Sequence, residues 1–145
     1  MKRSIKYLVV HCTGSPPATT IASIQNYWKE VRGWKNPGYH YIIQSDGTIV
    51  SLFPEDKVAN GVKGYNEHSI HISYIGGVDA DNKPFDNRSD AQKISLYNKL
   101  VELSEKYPDA IILGHRDFPG VTKRCPSFDV KTWLSGYRPG LNIAA

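Results

Sequence analysis

The sequence is short of two features, long apolar runs and cysteine. No run approaches the roughly 20 apolar residues that a membrane-spanning helix needs, so we expect no membrane span. The two cysteines, Cys12 and Cys125, lie near opposite ends of the 145 residues. A disulfide between them is conceivable, but in a cytoplasmic chain metal binding is the commoner use of such a cysteine.

Dense clusters of one charge are also absent. The 18 basic and 14 acidic residues are dispersed along the chain and give a net charge of +4 and a pI near 9.0. This balance favours an anionic partner, but the sequence has no Lys/Arg block and no nucleic-acid-binding motif. We therefore expect no nucleic-acid partner.

The N-terminus begins with Met1-Lys2-Arg3, like the charged start of a signal peptide. The apolar run that follows extends only from Tyr7 to Val10, too short for a secretory signal. We therefore expect cytoplasmic synthesis without a signal peptide. The length and ordinary composition predict one domain over residues 1–145.

Strand and helix patterns alternate along the chain. Apolar and β-branched runs predict strands at 5–10, 38–43, 49–53, 69–75 and 110–113, with a hairpin turn at Asp46-Gly47. Helical spacing predicts helices from Thr20 to about Arg32, from Ser89 to about Tyr107, and from Ser127 to Gly136. This order predicts an α/β fold with a single mixed β-sheet and helices packed on its faces.

Each long helix is predicted to bury one face. In the first helix the face consists of Ile21, Ile24, Trp28 and Val31, and Gly33 ends the helix. The second helix begins with a capping box of Ser89 and Gln92. Its predicted core face consists of Ile94, Tyr97, Leu100, Val101 and Ser104.

The candidate chemistry lies at the ends of two strands. His11 and His115 each follow an apolar strand, so they would meet at one sheet edge if those strands are parallel neighbours. Cys125 follows in the next loop, and imidazole and thiolate are good zinc ligands. Strand alternation directs Cys12 away from His11, so we interpret Cys12 as a packing residue. A histidine that only makes hydrogen bonds at the rim remains the alternative for His11.

Four blocks along the chain identify a family resemblance. They are Tyr7-Leu8-Val9-Val10-His11-Cys12-Thr13, Pro37-Gly38-Tyr39-His40-Tyr41-Ile42-Ile43, Asp46-Gly47-Thr48 and Lys123-Arg124-Cys125-Pro126-Ser127-Phe128-Asp129. In this order they resemble the zinc-dependent N-acetylmuramoyl-L-alanine amidases of type 2, in particular the T7-lysozyme-like branch. Peptidoglycan recognition proteins are more distant members of the same group.

The resemblance implies a role for five residues. His11, His115 and Cys125 match the zinc ligands, and Tyr39 and Lys123 match positions tied to activity. On the residues alone, a core role for Tyr39 is the better interpretation. Zn²⁺ is the implied cofactor.

The chain departs from many relatives at two positions. Ser73 stands where they have a general-base glutamate, although the T7-lysozyme-like branch also lacks that glutamate. His71 stands where relatives have glycine, and the sequence assigns it no role.

The implied function is hydrolysis of the amide bond between N-acetylmuramic acid and L-alanine in peptidoglycan, and the implied partner is peptidoglycan or a muropeptide. We expect a monomer that acts as a phage or prophage endolysin and reaches the cell wall after holin-type release. A non-catalytic peptidoglycan-binding module and a cytoplasmic muropeptide-recycling amidase are the alternatives. Regulatory protein binding stays open, and a structural zinc site would need a fourth ligand, for which His40 is the nearby candidate.

Overall fold

The structure, a computed structural model, describes residues 3–136 and 141–144. Within these residues one sheet contains β1 (Tyr7–Cys12), β2 (Tyr41–Ile43), β3 (Ile49–Ser51), β4 (Ser69–Tyr74) and β5 (Ile111–Gly114). The strands lie in the order β3-β2-β4-β1-β5, and only β3 is antiparallel to its neighbour. The predicted fold class, a mixed sheet with helices, is confirmed.

Helices connect and cover the strands. They are α1 (Ile21–Asn26), a π-helical extension of α1 (Tyr27–Val31), α2 (Asp90–Lys106) and α3 (Val130–Ser135). Single 3₁₀ turns occupy Asn66–His68 and His115–Asp117. Across the described residues, no helix combines the length and apolarity needed to cross a lipid bilayer.

The first helix begins where the sequence predicts. The Thr20 hydroxyl accepts a hydrogen bond from the Ser23 amide at 3.1 Å, and Gly33 follows the helix with φ +67°. Ile24 and Trp28 are buried, as predicted, but Val31 is 67% exposed. The π-helical turn alters the helical phase after Asn26, which accounts for the wrong prediction at Val31.

The long helix α2 has the predicted capping box, with the Ser89 hydroxyl bonded to the Gln92 amide. Its buried face is Gln92, Leu96, Leu100 and Leu103, whereas Ile94 is 63% exposed. Of the predicted face, Leu100 is fully buried and the partly buried Tyr97 packs against the same core, so the prediction is wrong at Ile94. The three leucines pack in the main core with strands β1, β4 and β5.

The last helix begins later than predicted. Its N-cap is Asp129, and Ser127 lies before it with φ +70°, in the left-handed region. The Ser127 hydroxyl donates to the Gly77 carbonyl at 2.8 Å and therefore braces the loop that precedes α3. Val130 and Leu134 bury the inner side of α3.

Candidate metal centre and its cleft

The sheet brings the two candidate histidines together. Strands β1 and β5 are parallel neighbours, with Val10 paired to Gly114. His11 lies next along β1, and His115 directly follows β5. The two imidazole ring centroids are 4.9 Å apart. Both histidines therefore emerge at one sheet edge, as the sequence predicts for parallel neighbouring strands.

The loop after β5 adds Cys125 to this pair. One ligand atom from each of His11, His115 and Cys125 lies within 4.8 Å of the others. The Cys125 Sγ is 3.7 Å from Nδ1 of His11 and accepts a hydrogen bond from the Cys12 amide at 3.2 Å. The Arg116 amide donates to the Cys125 carbonyl at 2.9 Å, which ties the loop to the turn that carries His115.

The two imidazoles have the protonation state that a metal site needs, whereas the thiol would have to lose a proton. Burial, reinforced by His71 and His115, holds the pKa of His11 well below its usual value. Burial and the nearby Lys123 charge lower the pKa of His115 to about 4. Both imidazoles are therefore neutral at neutral pH, which is the form that binds metals. A hydrogen bond with Cys12 and burial raise the pKa of Cys125, so metal binding would be accompanied by loss of its proton.

This donor set fits zinc. Two imidazoles and one thiolate are ligands that zinc prefers, and three protein ligands leave a coordination position for water or substrate. His40 does not join the set, because its Nδ1 accepts the His71 amide at 3.0 Å and its Nε2 lies 2.8 Å from the Lys57 carbonyl. The described residues therefore match a catalytic rather than a closed structural site.

A cleft of about 720 Å³ opens over this cluster. Tyr39 and Lys123 both line it. The Tyr39 hydroxyl donates to the Cys12 carbonyl at 3.1 Å, and its ring centroid is 5.1 Å from that of His11. The Tyr39 ring also packs edge-on against Trp28, as a core residue would. Its hydroxyl nevertheless lies beside the candidate metal ligands. Lys123 is exposed.

Two residues of β4 reach the same region from the neighbouring strand. Ser73 is paired with His11 in the sheet, is fully buried, and donates its hydroxyl proton to the Tyr74 carbonyl. His71, one alternation earlier, is also fully buried, and its Nδ1 is 2.8 Å from Nε2 of His11. The sequence did not assign His71 a role. The sequence distinguished His71 only as a histidine at a position where relatives have glycine, on the same strand face as Ser73.

Comparison with known sequences places the chain in a family. Residues 1–128 match the family model described as N-acetylmuramoyl-L-alanine amidase. The endolysin of Escherichia phage T7 is 36% identical over 133 residues, which cover 91% of this chain and 87% of that protein. The endolysin of Klebsiella phage KP32 is 35% identical, with the same coverage. The chain belongs to the N-acetylmuramoyl-L-alanine amidase family.

Solved structures have the same fold. The Ph2119 endolysin from Thermus scotoductus MAT2119 bacteriophage Ph2119 superimposes with a TM-score of 0.75 and 25% identity, over 92% of this chain and 82% of that one. The amidase LysCS from Clostridium intestinale gives a TM-score of 0.76 and 26% identity, over 92% and 85%. Drosophila peptidoglycan recognition protein LB, 20% identical over 97% of this chain and 85% of its own, shares the fold with a TM-score of 0.76.

Proposed function

We propose that the chain is a zinc-dependent amidase that hydrolyses the bond between N-acetylmuramic acid and L-alanine in peptidoglycan. The observation that carries this proposal is the cluster of His11, His115 and Cys125 in the cleft of a chain of this family. In the proposal these three side chains hold the zinc ion. When bound, zinc would polarise the scissile carbonyl and lower the pKa of a water molecule toward neutrality.

Tyr39 is proposed as a hydrogen-bond donor to the reacting oxygen. Burial raises the pKa of its phenol far above the usual value, so the hydroxyl keeps its proton throughout the working pH range. In the free protein this proton is donated to the Cys12 carbonyl. A tetrahedral oxyanion is a stronger acceptor than a carbonyl, so the same hydroxyl would turn to it during the reaction.

Lys123 is proposed to supply positive charge to that oxyanion. It lines the cleft, and its charge contributes to the lowered pKa of both His11 and His115, which indicates that it acts on the same small region. Ser73 brings no carboxylate and is fully buried, so it offers no general base. The proposed role of the protein is therefore electrostatic, with Tyr39 and Lys123 stabilising charge that develops on the substrate.

The biological setting is proposed from the relatives. Those from phages T7 and KP32 are endolysins, and we infer that this chain likewise degrades the cell wall after release by a holin-type partner. A recycling amidase that acts on cytoplasmic muropeptides would use the same chemistry. The two differ in substrate, because an endolysin must cleave intact polymeric peptidoglycan.

Digestion of purified peptidoglycan tests the activity. The protein is incubated with peptidoglycan before and after treatment with a zinc chelator, and the products are identified by mass. We expect release of stem peptides with a free L-alanine amine, loss of this release after chelation, and recovery with added zinc. Release that survives complete metal removal would contradict zinc dependence.

Two variants separate an enzyme from a binding module. Tyr39→Phe and Lys123→Ala should keep zinc and fold, yet each should lower the cleavage rate by on the order of a hundredfold or more. Binding of peptidoglycan should change far less, because ground-state contacts are spread over the cleft. The recognition-protein relatives motivate the alternative. A wild-type protein that binds peptidoglycan but releases no peptide would favour it.

A further inference from the structure

We propose that His71 is a positioning residue that fixes the tautomer of His11, so that Nδ1 of His11 faces the metal with a free lone pair. The proposal rests on the proposed zinc site at His11, His115 and Cys125. It assigns a role to a side chain that makes no metal contact itself. The direction of each hydrogen bond follows, step by step, from one backbone amide.

The first step identifies the oxygen of Asn66. The Val62 amide lies 2.7 Å from the Asn66 side-chain atom assigned as Oδ1. Because a backbone amide only donates, its partner must be the carbonyl oxygen and not the NH₂ group. The same Oδ1 is 2.9 Å from Nε2 of His71. An oxygen of this kind only accepts, so Nε2 of His71 carries a proton.

The second step determines which nitrogen of His11 carries the proton. Both rings are fully buried, which favours the neutral form of each imidazole. A neutral His71 with its proton on Nε2 has an unprotonated Nδ1. That Nδ1 is 2.8 Å from Nε2 of His11, which must therefore be the donor. The proton of His11 then resides on Nε2, and its Nδ1, 3.7 Å from the Cys125 sulfur, is free to bind a metal.

The His71 ring is itself held in place. Its backbone amide donates to Nδ1 of His40 at 3.0 Å, and the two rings stack at 11° with centroids 5.9 Å apart. On the other side, Gly61 leaves the space that the ring occupies. A Cβ at Gly61 would lie only 2.2 Å from Nδ1 of His71. The ring therefore fits this chain because a glycine lies opposite it.

A fixed tautomer should strengthen metal binding. Without an acceptor at His71, the proton of His11 is free to move to Nδ1, the atom that must coordinate, and the ring is free to tilt. Removal of such an orienting hydrogen bond in metal sites typically costs 10- to 100-fold in metal affinity. We expect a loss of about this size when His71 can no longer accept the bond.

The test compares two substitutions of similar size. His71→Asn offers an oxygen near the position of Nδ1 and should preserve the acceptor, whereas His71→Leu removes it. His68→Leu is the matched control, because this imidazole lies at the Ser4 carbonyl, away from the ligands. Zinc affinity is measured by competition with a chromogenic chelator, and the His11 tautomer by ¹⁵N NMR of the zinc-free protein. Thermal unfolding checks that each variant folds.

We expect Nε2-protonated His11 in the zinc-free wild type and in His71→Asn, with zinc affinities within about threefold of each other. His71→Leu should bind zinc about 10- to 100-fold more weakly, while His68→Leu should match the wild type. A folded His71→Leu variant with wild-type zinc affinity overturns the proposal. A wild-type His11 protonated on Nδ1 also overturns it, and this measurement needs no variant to fold.

Neither readout uses substrate, so this proposal and the proposed amidase activity fail separately. A wild-type protein that binds zinc with Nε2-protonated His11 but cleaves no peptidoglycan contradicts only the activity. A wild-type protein that cleaves peptidoglycan with His11 protonated on Nδ1 contradicts only the role of His71.

Discussion

Two cysteines lie side by side at the candidate metal centre but differ in their surroundings. Cys12 is 6% exposed and belongs to the main apolar core, with its sulfur 3.7 Å from the Ser127 hydroxyl. The Cys125 sulfur lies 3.7 Å from Nδ1 of His11 and accepts a hydrogen bond from the Cys12 amide. Both thiols are free. At the scale of single residues, backbone position thus separates a packing thiol from a candidate ligand.

Alanine substitutions of these cysteines should have opposite effects on zinc. Cys125→Ala removes a proposed ligand and should abolish stoichiometric zinc binding, since two imidazoles alone bind the ion weakly. Cys12→Ala should keep the zinc and lose roughly 1–2 kcal/mol of unfolding free energy as a small buried side chain is truncated. Elemental analysis of the purified variants and denaturant unfolding measure the two effects. Zinc loss in Cys12→Ala would contradict the packing role of Cys12.

Gly61 offers a second test at a single residue. Its backbone is outside the left-handed region, so alanine there is opposed chiefly by the His71 ring. Gly61→Ala should destabilise the protein by about 1–3 kcal/mol, as overpacked sites do. The cost should shrink by at least about 1 kcal/mol in a His71→Ala background, because the clash is then removed. Denaturant unfolding of the four proteins gives this coupling, and strictly additive effects would show that the ring does not cause the strain.

At the scale of secondary-structure elements, local patterns predicted which strands and helices form, but not always which face of a helix is buried. The strand runs, the Thr20 cap and the Ser89–Gln92 box were confirmed because each depends on residues within a few positions. The buried faces of the helices depend on what they pack against. In α2, Leu96 and Leu103 meet the sheet while Ile94 faces solvent, and helical spacing alone fits either choice.

The phase of α2 can be measured through stability. Leu100→Ala should cost about 2–5 kcal/mol, because a fully buried leucine is truncated in the core. Ile94→Ala should stay within about 0.5 kcal/mol of the wild type, since the side chain is exposed and alanine favours the helix. Urea unfolding of both variants measures the two losses of unfolding free energy. Equal losses would mean that Ile94 packs against another surface.

At the scale of the whole molecule, the candidate site is an assembly of distant segments. The resemblance predicted His11, His115 and Cys125 as ligands, and the parallel pairing of β1 with β5 explains why the two histidines meet. The contact between His71 and Asn66 was beyond prediction. It needs the turn at Asn66–His68 before β4, and the contact of His71 with His11 needs the register of β1 with β4, neither of which a local pattern encodes.

The buried histidines also couple this assembly to pH. The clearest case outside the ligands is His40, where burial lowers the pKa to about 4 from the usual value near 6.5. Its Nδ1 accepts the His71 amide and its Nε2 donates to the Lys57 carbonyl, while the Arg3 guanidinium, which only donates, lies 3.3 Å from that Nε2. Protonation of Nδ1 would break the bond to His71 and place a charge in the core.

The sign of the effect follows from proton counting. Between pH 6.5 and about 4 the unfolded chain binds a proton at this histidine and the folded chain does not. The free energy of unfolding should therefore be highest above pH 6.5 and fall as the pH is lowered through this window. His11 and His71, whose pKa values burial also lowers, act in the same direction.

Denaturant unfolding of the zinc-free protein at several pH values from 7.5 to 4 measures this loss. His68→Gln replaces a histidine outside the buried group and serves as the substitution control. His40→Gln should be less stable at pH 7.5, because it disturbs the bonds to the His71 amide and the Lys57 carbonyl, but should lose less on acidification. If the free energy of unfolding of the wild type stays constant down to pH 4, the folded protein takes up protons at these imidazoles as readily as the unfolded chain does, which contradicts the prediction.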